Sequence, residues 1–154
     1  MKHYALLIAL LIVGCSPNQP RITETEVINT IEGLFEALDV ENTNPRLLDQ
    51  YITRDFVIYE DGLKMSREEF KAFTSETPII KSDWILTDFS VSTDNNSAHV
   101  RLLNHGDFLV QQDTVKMRIK IKWLESAYLV READSLKIKF YFSDNIGRET
   151  DTLK

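Results

Sequence analysis

The side chains best suited to acid–base chemistry in this chain are a histidine and an aspartate in its second half. His105 and Asp107 stand one residue apart, and an imidazole beside a carboxylate can exchange a proton near neutral pH. The pair follows a predicted strand and flanks Gly106, which predicts a turn. No third orienting group accompanies the two residues, so an exposed histidine beside a turn aspartate is the alternative interpretation.

Metal chemistry is not expected from the same segment. His99 and His105 are six residues apart on a strand, and the single cysteine of the chain, Cys15, lies far from both. Zinc sites need three or four closely spaced ligands. We therefore expect neither a metal site nor a cofactor.

The first fifteen residues predict where the protein is located. Lys2 precedes an apolar run from Tyr4 to Val13, and ten helical residues span only ~15 Å, about half of a bilayer core. The run is therefore typical of a signal peptide. Its end, Ile12-Val13-Gly14-Cys15, resembles the lipobox of bacterial lipoproteins. An ordinary signal peptide with an unmodified cysteine is the alternative.

That resemblance implies removal of residues 1–14 and attachment of lipid to Cys15. More than one acyl chain gives stable membrane anchoring. Ser16 rather than aspartate follows the cysteine, which by the same resemblance implies an outer-membrane protein that faces the periplasm. Residues 15–21 are then a short tether, residues 22–143 one domain, and residues 144–154 a polar C-terminal tail. The formal net charge of −6 argues against nucleic acid as a partner.

Local patterns predict helices first and strands afterwards. Capping boxes at Thr23-x-x-Glu26 and Ser66-x-x-Glu69 indicate two helix starts, and Pro45 indicates a short helix between them. Alternating apolar and polar residues predict the strands. These are Phe56–Tyr59, Trp84–Ser92, Ala98–His105, Thr114–Glu125 and Leu136–Ser143.

This order predicts an α+β fold, with about three helices packed on one face of an antiparallel sheet of four to six strands. The organisation resembles the SnoaL-like branch of the nuclear transport factor 2-like superfamily, from a first helix ending in Ala37-Leu38-Asp39 to the last strand. Some members end in a tryptophan-led strand with a His-x-Ser pattern. Leu136 and Tyr141 depart from that ending, and only Ser143 matches it. The resemblance implies a cone whose curved sheet and helices enclose a pocket.

Strand alternation predicts which side chains face that pocket. The predicted inner residues include no Asp, Glu, His or Lys, so the sequence favours a packed core or an apolar ligand pocket, unless a one-residue register shift has hidden a carboxylate. We predict Tyr59, Asn104, Met117 and Trp123 as pocket residues. The full inward set also includes Phe56, Ile58, Ile85, Thr87, Phe89, Val91, Ala98, Val100, Leu102, Ile119, Ile138 and Phe140.

The opposite sheet face collects positive charge. A solvated face whose cations pair with acids such as Glu125 and Glu132 is one interpretation. The other is a docking surface for an anionic partner: lipid headgroups, a polyanionic glycan or an acidic protein. We define this basic face as Arg101, Lys116, Arg118, Lys120, Lys122, Lys137 and Lys139.

Three functions remain open from the sequence. The first is a membrane-anchored domain that binds a small apolar ligand or a protein partner, including a second copy of the chain through its sheet, without catalysis. The second is an isomerase-, dehydratase- or cyclase-type enzyme that uses His105 and Asp107, or a carboxylate misplaced by register. The third is a structural envelope module that docks through the basic face.

Overall fold

The computed structural model describes residues 20–153. These residues form three helices and a single six-stranded sheet. The helices are α1 (Glu24–Leu38), α2 (Leu48–Tyr51) and α3 (Arg67–Glu76). The strands are β1 (Ile52–Glu60), β2 (Leu63–Ser66), β3 (Ile79–Thr93), β4 (Ser97–Gln112), β5 (Val115–Glu132) and β6 (Ser135–Leu153).

Both long helices begin at the predicted capping residues. The Thr23 hydroxyl accepts a hydrogen bond from the backbone N–H of Glu26. At α3, the backbone N–H of Ser66 donates to the Glu69 carboxylate at 2.7 Å, and the reciprocal bond completes a capping box. These bonds satisfy amide groups that the first helical turn leaves without partners. The two predicted helix starts are confirmed.

The strands lie in the order β2-β1-β6-β5-β4-β3. All neighbouring pairs are antiparallel except β1 and β6, which run parallel. The helices cover the concave side of this curved, open sheet, and α1 buries Val27, Ile31 and Leu34 in the core. The predicted α+β fold with a curved sheet is confirmed. The parallel pair and the short hairpin strand β2 were not predicted.

Strand β4 passes through Gly106 without a turn, so the predicted turn at Gly106-Asp107 is wrong. Every residue from Ser97 to Gln112 pairs with β5 in unbroken register. A Cβ atom on Gly106 would lie 2.4 Å from the Phe108 ring and 2.9 Å from Trp123. The glycine therefore makes room for two aromatic side chains inside the cone instead of reversing the chain.

The C-terminal segment continues strand β6. Residues 144–154 were predicted to form a polar tail, but residues 144–153 belong to β6 and pair with β5 as far as Leu153 opposite Lys116. Asp151 lies opposite Arg118, and Glu149 lies opposite Lys120. Cross-strand pairs of opposite charge stabilise a sheet, which explains how a polar segment can extend it.

Two irregularities reverse the predicted facing of side chains. In β3, Asp88 has a φ of 56°, and the register with β4 shifts between Thr87 and Ser90. Ile85 is 60% exposed as a result, and Thr87 is exposed too. Trp84 and Leu86 pack inward in their place. The predicted inward facing of Ile85 and Thr87 is wrong.

The second irregularity is a bulge in β6. Leu129 pairs with Ile138, and the adjacent Tyr128 pairs with Phe140, which leaves Lys139 as the extra residue. A bulge inverts the alternation beyond it. Tyr141 and Ser143 are therefore buried. Phe140, predicted to face inward, packs instead against Tyr59 on the outer face, with ring centroids 5.8 Å apart.

Candidate functional site: the cavity inside the cone

A cavity of about 380 Å³ lies between the helices and the concave face of the sheet. Most of its wall is apolar. Helices α1 and α3 contribute Leu34, Phe35, Phe70 and Phe73, and the sheet contributes Phe56, Ile58, Trp84, Phe108, Ile119, Ile121 and Trp123. The ionisable or hydrogen-bonding exceptions are Glu60, Asp61, Thr74, Thr77, Asn104, Glu125, Tyr141, Ser143 and Arg148.

Glu125 is the most deeply buried carboxyl group of this wall. It continues the inward alternation of β5 two residues beyond Trp123, and only 4% of its surface is exposed. Its cross-strand neighbours are Leu102 on β4 and Ser143 on β6. The sheet, rather than a loop, therefore fixes the position of this carboxyl group.

Three neutral side chains hold the Glu125 carboxyl group in place. The Tyr141 hydroxyl donates to Oε2 at 2.8 Å. Asn104 Nδ2 and Ser143 Oγ donate to Oε1 at 3.3 and 3.4 Å. No lysine, arginine or histidine within residues 20–153 forms an ion pair with Glu125. The group is oriented by hydrogen bonds, without a cation to neutralise it.

Burial dominates the proton affinity of Glu125. Desolvation raises its pKa from the usual value to about 7, and the nearby charge of Glu60 acts in the same direction. The bonds from Tyr141, Asn104 and Ser143 lower the pKa but do not offset the burial. A carboxyl group with this pKa can both accept and release a proton at neutral pH.

Glu60 places a second carboxyl group in the cavity wall. It is the last residue of β1, is partly buried, and pairs with Ser143 across the parallel β1–β6 interface. Burial, together with the charge of Asp61, raises its pKa to about 7. No hydrogen-bond donor or cation among residues 20–153 holds its carboxyl group.

An aromatic wall faces these polar groups. Phe108 meets Trp84 edge to face, with ring centroids 4.9 Å apart, and Trp123 edge to face at 6.1 Å. Such contacts add stabilisation beyond the buried area alone. The wall is aromatic, apolar and next to Asn104, so it suits a ring-containing ligand.

Of the four predicted pocket residues, two line the cavity and two do not. Asn104 and Trp123 line the cavity. Met117 lies beside it, packed against the cluster of Phe108, Val110 and Trp123. Tyr59 is 40% exposed on the outer face. Its placement in the pocket is wrong, because Ile58 and Glu60 occupy the inward positions of β1.

His105 and Asp107 do not meet at the cavity. Because β4 continues through Gly106, both side chains lie on the outer sheet face, opposite Lys122 and Lys120 of β5. Arg118 holds the Asp107 carboxylate with bonds of 2.8 and 2.5 Å and keeps its pKa below the usual range. The predicted acid–base pair His105 and Asp107 is therefore not part of the cavity.

The basic face is interleaved with acids. Asp107, Glu149 and Asp151 flank the cations of β5 through cross-strand pairing. Arg101 pairs with Asp88 at 3.4 Å, Lys139 with Asp55 at 2.8 Å, and Lys137 with Glu132 at 3.3 Å. Lys116, Lys120 and Lys122 are exposed. Glu125, predicted as a partner for this face, points into the cavity instead.

The residues that sequence reasoning missed are Glu60, Glu125, Tyr141 and Ser143. One signal was available for Glu125, because the alternation Met117, Ile119, Ile121, Trp123 places the next inward residue there. The predicted strand, Thr114–Glu125, ends at this residue, and the structure continues β5 to Glu132. Tyr141 and Ser143 were hidden by the bulge at Lys139, which no sequence pattern marked.

Two further predictions concern metal and membrane. No group of three potential metal ligands occurs within residues 20–153. Over the same range, no helix is long and apolar enough to cross a membrane. Cys15, the predicted lipidation site, and the predicted signal peptide lie outside the described residues.

Comparison of the structure with solved structures identifies its fold. An NTF2-like protein of Cytophaga hutchinsonii matches with a TM-score of 0.63 and 14% identity over 81% of this chain and 100% of that one. Hexachlorocyclohexane dehydrochlorinase LinA-type3 of Novosphingobium barchaimii matches with a TM-score of 0.69 and 8% identity over 82% of this chain and 88% of that one. The CaMKII hub of S. rosetta matches with a TM-score of 0.66 and 18% identity over 82% of this chain and 98% of that one.

The chain therefore has the nuclear transport factor 2-like cone fold that the sequence resemblance implied. No protein-family model matches the sequence, and no curated protein does. Similarity at these identities defines the fold alone. Since unrelated functions share a fold, the function has to be argued from the cavity.

Proposed function

We propose that the protein is an enzyme that moves protons on a small, largely apolar substrate, with Glu125 as the general base. The observation that supports this proposal is the Glu125 carboxyl group, which is buried in the cavity wall and oriented by Tyr141, Asn104 and Ser143. In this proposal Glu125 takes the role that the sequence analysis gave to His105 and Asp107. The predicted register had placed the Glu125 carboxyl group on the outer face.

A buried carboxylate is a better base than an exposed one for a physical reason. Water stabilises the charged form in solution, and that stabilisation is lost in an apolar wall. Proton abstraction then relieves the desolvation of Glu125 while the hydrogen bond from Tyr141 keeps the carboxyl group oriented. General base catalysis of this kind contributes on the order of 100- to 10,000-fold in rate.

The cavity limits the substrate by size and polarity. Its volume of about 380 Å³ suits a molecule of two or three fused rings. The rings of Trp84, Phe108 and Trp123 favour an apolar substrate. The dehydrochlorinase among the fold neighbours is compatible with an elimination-type enzyme on this scaffold, although the shared fold does not select the reaction.

A substrate-independent probe tests the base. In 5-nitrobenzisoxazole, removal of one proton from carbon breaks the N–O bond and releases a coloured cyanonitrophenolate. We expect the wild-type protein to catalyse this ring opening at pH 8, and Glu125→Gln to lose about 100-fold or more of the rate. Glu149 is an exposed residue of β6. Glu149→Gln is therefore the matched control and should retain the wild-type rate. Equal rates for all three proteins would refute the proposal.

Ligand binding without catalysis is the competing function, and the mostly apolar wall of the cavity supports it. It predicts that the wild-type protein binds the benzisoxazole, seen as quenching of Trp84 and Trp123 fluorescence, but leaves it intact. Glu125→Gln should then bind as tightly as the wild type. Catalysis that depends on Glu125 would exclude this alternative.

We also propose that Cys15 carries the lipid that anchors the protein in the envelope, at the periplasmic side of the outer membrane. The sequence Ile12-Val13-Gly14-Cys15 after an apolar run supports this. Expression of the full chain in a Gram-negative host with radiolabelled palmitate should label the wild type and not Cys15→Ser. Label in the serine variant, or an unlabelled wild type, would contradict the anchor.

A further inference from the structure

One buried side chain of the cavity wall has hydrogen-bonding capacity that the protein does not use. Asn104 is 1% exposed and lines the cavity. Its Nδ2 donates to Glu125, but its Oδ1 has no partner within residues 20–153. A primary amide offers two N–H donors and two oxygen lone pairs, so Asn104 keeps one donor and both lone pairs free.

The Asn104 oxygen is an exception among the buried polar groups of the described chain. A buried acceptor without a partner lowers stability, and native structures contain few of them. The buried side chains that carry a hydroxyl or carboxyl group all form hydrogen bonds through it; they are Thr30, Thr53, Ser82, Glu125, Tyr141 and Ser143. Solvent outside the cone does not reach Asn104 Oδ1, so its partner has to be a molecule inside the cavity.

Two indole groups of the same wall are unsatisfied as well. Trp123 lies directly opposite Asn104 on the neighbouring strand, and neither its Nε1–H nor that of Trp84 has an acceptor among residues 20–153. The two indole rings are adjacent, with centroids 6.1 Å apart. Buried indole N–H groups usually find a partner. The wall around Asn104 therefore combines a free acceptor and free donors with an aromatic surface.

We propose that Asn104 is the specificity-determining residue of the cavity and that the molecule it recognises is a lactam, a ring that contains an amide group. A primary amide carries its oxygen and one N–H on the same edge, and the complementary edge is an N–H next to a C=O. Open-chain amides are trans and hold these two groups on opposite sides, whereas a small ring holds them on one side. The Nε1–H of Trp123 supplies a further donor for the carbonyl oxygen of the lactam.

The charges of the wall favour a neutral lactam over a carboxylic acid, which has the same pattern of donor and acceptor. Glu60 and Glu125 both border the cavity, and the cation among the described wall residues, Arg148, is exposed. An ionised acid has no proton to donate to Asn104, and the carboxyl groups of the wall repel it. A lactam avoids both costs because it stays neutral.

This inference rests on the proposed function in one respect, since it names the class of substrate on which Glu125 acts. Because Asn104 Nδ2 donates to Glu125 Oε1 at 3.3 Å, a lactam bound to Asn104 lies next to the proposed base. Recognition by Asn104 is a property of binding, so it can be measured without any reaction.

Two probes that differ in the N–H donor test this recognition. 2-Quinolone is a two-ring lactam, and 1-methyl-2-quinolone carries a methyl group in place of the hydrogen on nitrogen. In isothermal titration calorimetry the wild type should bind 2-quinolone at least about tenfold more tightly than the methylated probe. Asn104→Leu keeps the branched shape of the side chain and removes both polar atoms, so its affinities for the two probes should agree within about twofold. Phe108→Leu, the control in the aromatic wall, should weaken both probes and retain the preference.

Three results would overturn the inference: equal affinity of the wild type for the two probes, a preference that persists in Asn104→Leu, or a wild type that binds neither lactam. Each of them would leave Glu125 as the base, which benzisoxazole ring opening tests separately. A wild type that opens no benzisoxazole but prefers 2-quinolone would refute the proposed function and support recognition by Asn104. Circular dichroism and thermal unfolding report whether each variant is folded, and Asn104→Ala replaces Asn104→Leu if the latter is not.

Discussion

The Tyr141 hydroxyl donates a 2.8 Å hydrogen bond to Oε2 of Glu125 inside the cone. This contact joins neighbouring strands, and it depends on the bulge at Lys139 that turns Tyr141 inward. The bond stabilises the charged form of Glu125 and therefore lowers a pKa that burial raises. Tyr141 thus adjusts the strength of the proposed base.

Removal of this bond should change the pH dependence of activity. In Tyr141→Phe the Glu125 carboxylate loses a donor worth about 1 kcal/mol, so its pKa should rise by roughly 0.5 to 1 unit. The pH–rate profile of benzisoxazole ring opening measures this shift. Tyr128→Phe, on the outer face and 40% exposed, is the matched control. An unchanged or lowered midpoint in Tyr141→Phe would refute the role of Tyr141.

The buried carboxyl group should also make stability depend on pH. The pKa of Glu125 is raised from 4.5 to about 7 on folding, so the folded protein binds the proton more tightly than the unfolded chain does. The associated stability is complete below pH 4.5 and is lost as pH rises through 7. Between pH 5 and pH 8 the wild type should lose about 2 to 3 kcal/mol relative to Glu125→Gln.

Urea unfolding at both pH values measures that difference. The charged and titratable groups that face Glu125 are Glu60 and Tyr141, and both remain in the variant, so the difference reports Glu125 together with its interaction with Glu60. Parallel stability curves for wild type and Glu125→Gln would show that the carboxyl group is not desolvated.

Gly106 tests the packing behind the aromatic wall. A Cβ atom there would meet Phe108 at 2.4 Å and Trp123 at 2.9 Å, so Gly106→Ala should lower the free energy of unfolding by about 1 to 3 kcal/mol. Gly147→Ala is the control in β6, where the nearest atom to the new Cβ would lie 3.9 Å away. Equal stability of the two variants in urea unfolding would contradict the described packing.

The outer face of the sheet carries exposed apolar side chains suited to a second copy of the chain. Leu124, Tyr128 and Phe142 are each 40 to 45% exposed, and Leu124 pairs with Leu103 on the adjacent strand. We expect sedimentation velocity to show a dimer that Leu124→Glu dissociates. Leu63→Glu, also exposed but on β2, should leave the dimer intact. A monomeric wild type, or dissociation by both variants, would contradict this interface.

Local chemistry predicted the helices and the general fold, because capping boxes and strand alternation act within a few residues. The starts of α1 and α3 follow from Thr23 and Ser66, and the inward facing of Trp123 follows from the alternation of β5. Strand ends were harder to predict. The pairing of Glu149 and Asp151 with Lys120 and Arg118 extends β6, and that extension depends on a partner strand far away in the sequence.

The residues of the proposed site also depend on contacts between strands that are far apart in the sequence. Glu125 was predicted on the outer face, although continued alternation of β5 beyond Trp123 places it inside, and its position is fixed by β4 and β6, which flank it on both sides. Tyr141 and Ser143 face inward only because one extra residue, Lys139, is accommodated in β6. A single-residue bulge leaves no periodic trace in the sequence, and yet it determines which side chains line the cavity.

The proton affinity of Glu125 tests the central claim most directly. Carbon-13 labelling of glutamate and NMR titration of the Glu125 side-chain carboxyl carbon, assigned by comparison with Glu125→Gln, measure its pKa in the folded protein. The proposed site predicts a midpoint near 7. A midpoint near the ordinary glutamate value of about 4.3 would show that the carboxyl group is well solvated, and Glu125 would not be the base proposed for this cavity.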